Sequence, residues 1–170
     1  MIVVVADTSP IRYLVRIGQI NLLTTLYGRV ILPGVVHDEL QAADGLLVVR
    51  EWTRQLPSWV SVQTPSRMLN LSLPNLHRGE SDAIALAEEL SASLLLIDDR
   101  IGVQVALERG LTVTGTLGIL VEAAQAGIVY IDPVLAKLKE TNFRATPGLY
   151  ERARQLALSK PPVLPRRKQE

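Results

Sequence analysis

Four short apolar runs constrain the fold of this chain more than any other feature: "IVVVA" (2–6), "RVILP" (29–33), "ASLLLI" (92–97) and "LTVTG" (111–115). Each has the length of a strand and is almost free of charge, as expected of strands buried on both faces. Helical spacing follows them, over 11–27 with an interruption at Gly18, and over 35–43, 101–109 and 117–126. A further helix over 45–55 leads into "WVSVQ" (59–63), an edge strand or extended segment. The segment "RGESDAIALAEEL" (78–90) is the clearest helix, with Gly79 at its start, acids in its first turn and apolar residues at 83, 84, 87 and 90. Helices over 133–140 and 147–158 complete the pattern, and only "TPSRMLNLSLPNLH" (64–77) reads as irregular. Strands that alternate with helices predict an α/β fold, a three-layer α/β/α sandwich around a mostly parallel sheet.

At 170 residues, 48% of them hydrophobic, the chain has material for one domain over residues 1–158. Residues 159–170, broken by proline and rich in charge, read as a flexible tail. The absence of cysteine excludes a disulfide framework and thiolate metal sites, and it fits a cytoplasmic protein. No apolar run approaches the ~20 residues that span a bilayer, and "MIVVVADTSP" lacks the basic start of a signal peptide. Net charge is only +1, so a nucleic-acid partner requires basic residues gathered locally.

In parallel sheets the working end lies beyond the carboxyl ends of the strands. Asp7 follows the first strand, and Asp98 and Asp99 follow the strand over 92–97. Glu39 lies in the helix after the second strand, while Glu80 and Asp82 lie at the start of the clearest helix. At ~100° per residue, Glu80 shares the face of Ala83, Ile84 and Ala87 and points toward the sheet, with Asp82 ~200° away unless the first turn frays. Each acid also has an ordinary explanation. Asp7, Thr8 or Ser9 suits a helix cap before Pro10. Glu80 and Asp82 suit the helix dipole, "DD" suits a turn, and Glu39 suits a solvated helix face.

Taken together, acids from distant stretches converge on one sheet edge. Carboxylates so gathered repel one another unless a cation sits among them. Oxygen ligands without cysteine or a histidine pair suit Mg²⁺ or Mn²⁺, which polarise phosphoryl oxygens and activate water. Thr8 or Ser9 is then placed to orient that water. His37 and His77 lack the spacing of a zinc motif. No glycine-rich loop follows the first strand, which excludes a P-loop or dinucleotide site.

The segments "VVADTSPI", "VVHDEL", "GESDAIALA", "LLLIDDRIGVQVA", "VTGTLGILVEAAQAGIV" and "FRATPGLYERARQLA" together resemble the PIN-domain proteins, over residues 1–158. The resemblance implies an α/β/α sandwich and a ribonuclease dependent on Mg²⁺ or Mn²⁺. It further implies a VapC-like toxin, dimeric and inhibited by a cognate antitoxin. By resemblance Asp7 is the first metal ligand and Glu39 the second. The third position falls on Glu80 or Asp82 and the fourth on Asp98 or Asp99, with Thr114 and Thr116 near a further polar position. The "GE-D-AIALA" and "DDR" variants suggest a subgroup whose activity follows less directly. The alternative is therefore a weak or inactive PIN-fold module that binds RNA or a protein.

Arg12, Arg78 and Arg100 each lie close in sequence to an acid of the cluster. They either contact RNA phosphates or neutralise those acids in salt bridges. "LGILVEAAQAGIVYI" reads as a core helix or as a groove for a partner helix, and helices over 35–55 as a self-association surface by family analogy.

Overall fold

The computed structural model describes residues 2–42, 46–69 and 75–159. Its strands are β1 (Val4–Ala6), β2 (Val30–Pro33), β3 (Val60–Gln63), β4 (Leu94–Leu96) and β5 (Val113–Thr114). They form a five-stranded sheet in the order β3-β2-β1-β4-β5, and every pairing among the described residues is parallel. Register is fixed along the centre by Val5 opposite both Ile31 and Leu95.

Alternation along the central strands separates two cores. Val4 and Ala6 of β1 and Leu96 of β4 join the core on one face, while Val5, Leu95 and Ile97 join that on the other. The first face is covered by α1 (Thr8–Arg16), α2 (Leu22–Tyr27), α3 (Gly34–Gln41), α4 (Leu47–Arg54), α7 (Thr116–Gln125), α8 (Ile131–Lys139) and α9 (Pro147–Leu158). The second is covered by α5 (Arg78–Glu89) and α6 (Arg100–Glu108). The result is the three-layer α/β/α sandwich that alternating strands and helices dictate.

The interruption expected at Gly18 is a C-terminal cap. Gly18 takes the left-handed φ of +71°, its N–H donates to the Val15 carbonyl, and the Gln19 N–H donates to that of Leu14 at 2.7 Å. β3 forms the sheet edge as expected, with only Val60 buried. The apolar helix α7 is core rather than open groove, because Ile119, Leu120 and Ala123 are buried and α9 packs against it. Among the described residues no helix is long and apolar enough to cross a membrane. The expected tail lies outside the described residues from position 160 onward, as do the centre of the irregular segment (70–74) and residues 43–45.

Candidate active site

The parallel sheet delivers β1, β4 and β5 to one edge, and the turns into α1, α6 and α7 carry Asp7, Asp98, Asp99 and Thr116 there. Helix α3 packs against both α1 and α5, which brings Glu39 beside the starts of those helices. Asp7, Thr8, Ser9, Arg12, Glu39 and Glu80 line a depression of about 290 Å³, with His77 and Gly79 at its wall. Residues far apart in sequence therefore share one pocket.

Asp7 occupies the N-cap position of α1, yet its side chain caps nothing. The capping explanation fails for it, and the carboxylate is left facing the other acids. It is only 3% exposed. Burial pushes its pKa up to about 7, opposed by the Thr8 backbone N–H and reinforced by the charges of Glu80, Glu39 and Asp98. Thr8 turns away from the capping role as well, its hydroxyl donating to Oε2 of Glu39 at 2.5 Å.

Glu80 accepts from the His77 backbone N–H at 2.7 Å, closing the first turn of α5. Burial raises its pKa, the His77 N–H opposes the shift, and the charge of Asp99 adds to it. Asp98 accepts from both the backbone N–H and the hydroxyl of Thr116, at 2.7 and 2.6 Å. Its pKa is raised by burial, against those two donors. Asp99 caps α6, accepting from Ile101 and Gly102 at 2.9 and 3.0 Å. The two halves of "DD" thus have different tasks: Asp99 performs the turn-and-cap role, and Asp98 does not.

Asp82 is buried as well. It is 3% exposed although it lies well round the helix from Glu80. The cause is the enclosure of α5, which packs against β1, β2, β4, α3 and α6, so that most of its circumference is buried. Asp82 does not line the depression, and neither do Asp98 and Asp99.

Of the two alternatives for the arginines, neutralising salt bridges are not seen among the described residues. Among the described residues no ion pair involves Arg12, Arg78 or Arg100. Arg78 and Arg100 are exposed, whereas Arg12 is half-buried on the pocket wall, its Nε enclosed and without a hydrogen-bond partner there. Thr116 is wholly buried and serves Asp98, while Thr114 lies in β5.

Two glycines, Gly79 at the start of α5 and Gly115 after β5, abut these acids. A Cβ added at Gly79 lies 2.8 Å from Oε2 of Glu39, and one at Gly115 lies 2.5 Å from Oδ1 of Asp98. No signal in the sequence marks this, because the backbone angles that set these glycines apart are known only from the structure.

An all-oxygen donor set around a buried acid suits a hard divalent cation. Among the described residues, however, no three acidic or histidine side chains are drawn together tightly enough to hold one as they stand. Glu39, Glu80, Asp98 and Asp99 are each engaged by a protein donor. Glu39 and Glu80 use Oε2 alone for this, among the described residues.

Comparison with known proteins places this chain in a class. The family model described as PIN domain matches residues 3–159, and the chain belongs to that family. PIN domains are a nuclease superfamily fold and generally use divalent metal ions. A search of curated proteins returned no match. Among solved structures the chain is similar to a PilT N-terminus domain protein from the hyperthermophilic archaeon Sulfolobus solfataricus P2. That similarity has 19% identity and a TM-score of 0.48, covering 86% of this chain and 100% of the other.

Proposed function

We propose that the protein is a Mg²⁺- or Mn²⁺-dependent endoribonuclease that hydrolyses RNA phosphodiester bonds, working as the toxin of a toxin–antitoxin pair. The observation that carries the reading is Asp7, a buried carboxyl with its pKa pushed up to about 7 and no capping bond, which faces Glu39, Glu80 and Asp98. Ionising it among other acids is costly without a cation. Asp7, Glu39 and Glu80 would hold the ion, with Asp98 as the fourth ligand; Asp99 and Asp82 are the competing choices for their positions. A divalent ion there supplies Lewis-acid polarisation of a phosphoryl oxygen and a lowered pKa for water.

The chain's own residues do the rest. Thr8 fixes the carboxylate of Glu39, and Thr116 fixes that of Asp98. Ser9 offers a hydroxyl on the pocket wall to a phosphate oxygen or a water. Arg12, Arg78 and Arg100, unpaired with acids among the described residues, are the phosphate contacts that offset repulsion between RNA and the acidic edge. Self-association through helices within 35–55 fits the exposure of Leu47 and Val48 on α4.

A second reading is favoured by one observation, the engagement of most of the acids by protein donors with no converged triad among the described residues. It makes the chain a weak or inactive PIN-fold module that binds RNA or a protein partner. Calorimetric titration of Mn²⁺ into the wild type and D7N, with cleavage of a mixed RNA pool, separates the two. Metal binding and cleavage that both vanish in D7N support the nuclease; indifference of both to D7N sinks it.

A further inference from the structure

We propose that Gly79 and Gly115 are positioning residues of the acidic site, each leaving a gap that seats the carboxylate of a remote acid, Glu39 and Asp98 respectively. The inference deepens the nuclease reading and rests on it where metal binding is concerned. Among the described residues some glycines have left-handed backbone and others do not; of the latter, Gly102 and Gly118 abut Ile97 and Thr114, whereas Gly79 and Gly115 abut carboxylates. Gly18, Gly28, Gly110 and Gly127 have φ between +71° and +81°, and nothing lies within 4 Å of a Cβ added to any of them. Their backbone requires glycine. Gly79 and Gly115 carry no such requirement. Gly79 is the second residue of α5, in helical backbone open to any residue, and Gly115 is extended with φ −109° and ψ −173°.

What both positions lack is room. A methyl group at 79 would meet Oε2 of Glu39 at 2.8 Å and Oε1 at 2.9 Å. One at 115 would meet Oδ1 of Asp98 at 2.5 Å, with the Ile97 carbonyl oxygen at 3.3 Å. Glu39 ends a flexible side chain, so the fold survives the intrusion by moving the carboxylate, and its placement beside Thr8 is lost. Asp98 yields less readily, because Thr116 holds both of its oxygens.

The test uses G79A and G115A in the wild type and in E39A and D98A respectively, with Mn²⁺ calorimetry and metal-free thermal unfolding. G79A is expected to stay folded and to weaken Mn²⁺ binding about tenfold or more, the usual consequence of disturbing a group that orients a ligand. The metal-free change in Tm caused by G79A should be more favourable in E39A than in the wild type, since the methyl group then enters empty space. The same relation should hold for G115A with D98A. Equal Tm changes in both backgrounds, or wild-type Mn²⁺ affinity in G79A, overturn the proposal. Absence of Mn²⁺ binding by the wild type removes the metal reading alone, because the unfolding cycle needs no ion and still decides the gap.

Discussion

The Thr8 hydroxyl donates to Oε2 of Glu39 at 2.5 Å, tying the first residue of α1 to the later half of α3. The partners are 31 residues apart, and Thr8 is 6% exposed. The cap position of α1 belongs to Asp7, so the Thr8 hydroxyl is available to a remote partner. Its use on Glu39 fixes one oxygen of that carboxylate and leaves the position of the other determined.

Thr8→Val keeps the shape of the side chain and removes the donor. The expected loss is about tenfold in Mn²⁺ affinity and a similar factor in RNA cleavage. Stability falls by roughly 1–3 kcal/mol, since the bond is to a charged acceptor. Thr8→Ser retains the donor and should behave as the wild type. Calorimetry and urea unfolding on both variants check this; equal losses in Val and Ser would show that packing, not the hydroxyl, matters.

Asp7 sets a pH dependence whose sign is fixed by its shift. Its pKa rises from 3.8 to about 7 on folding, so between those values the folded chain binds more protons than the unfolded chain. Metal-free stability is therefore favoured at low pH and declines as pH rises through that window, by up to about 4 kcal/mol from this group. Asp7→Asn removes the decline and raises Tm at pH 8 in chelator. Mn²⁺ affinity runs the opposite way, increasing toward pH 7 as the carboxyl ionises and levelling above it. Parallel Tm profiles for wild type and D7N from pH 4.5 to 8 would dismiss the assignment.

The sheet was legible because buried parallel strands leave an unambiguous mark: Val3–Val5 and Leu94–Leu96 are uninterrupted apolar runs, and helical periodicity switches on after each. Asp7 and Glu39 were legible as positions at the working edge. Less so was the division of labour within pairs. Asp98 and Asp99 are adjacent, and only the backbone directions at the start of α6 decide which carboxylate meets the Ile101 and Gly102 N–H groups. The burial of Asp82 could not be read from a helical wheel, which gives its angle from Glu80 but not the neighbours that enclose α5. Gly79 and Gly115 could not be read at all from local pattern, since what they accommodate comes from elsewhere in the chain.

Asp99 acts as a cap, and its loss should register in stability first. Asp99→Ala leaves two N–H groups of α6 without their acceptor and is expected to cost about 1 kcal/mol, within the usual range of 0.5–2 for such caps. Asp99→Ser, a competent cap, restores most of it. Asp98→Asn, by contrast, retains an oxygen for Thr116 while removing charge from the site, and should weaken Mn²⁺ binding by about tenfold or more. Denaturant unfolding and metal titration of the three variants should therefore sort the neighbours into different columns of effect.

Glu80 and Asp82 compete for one place in the site, and the pocket favours Glu80. Its carboxyl lines the depression and is among the charges that raise Asp7, whereas Asp82 does neither. Glu80→Gln is the cleaner substitution because the amide oxygen still accepts from the His77 N–H, preserving the first turn of α5. Mn²⁺ affinity is expected to fall about tenfold or more in E80Q, with metal-free stability unchanged or improved, since a buried acid loses its charge. Asp82→Asn should keep Mn²⁺ affinity within about threefold, as for a change that leaves the ligands and their immediate partners intact. Metal titration of E80Q and D82N at pH 8 decides the matter, and a larger loss in D82N would transfer the third ligand position to Asp82.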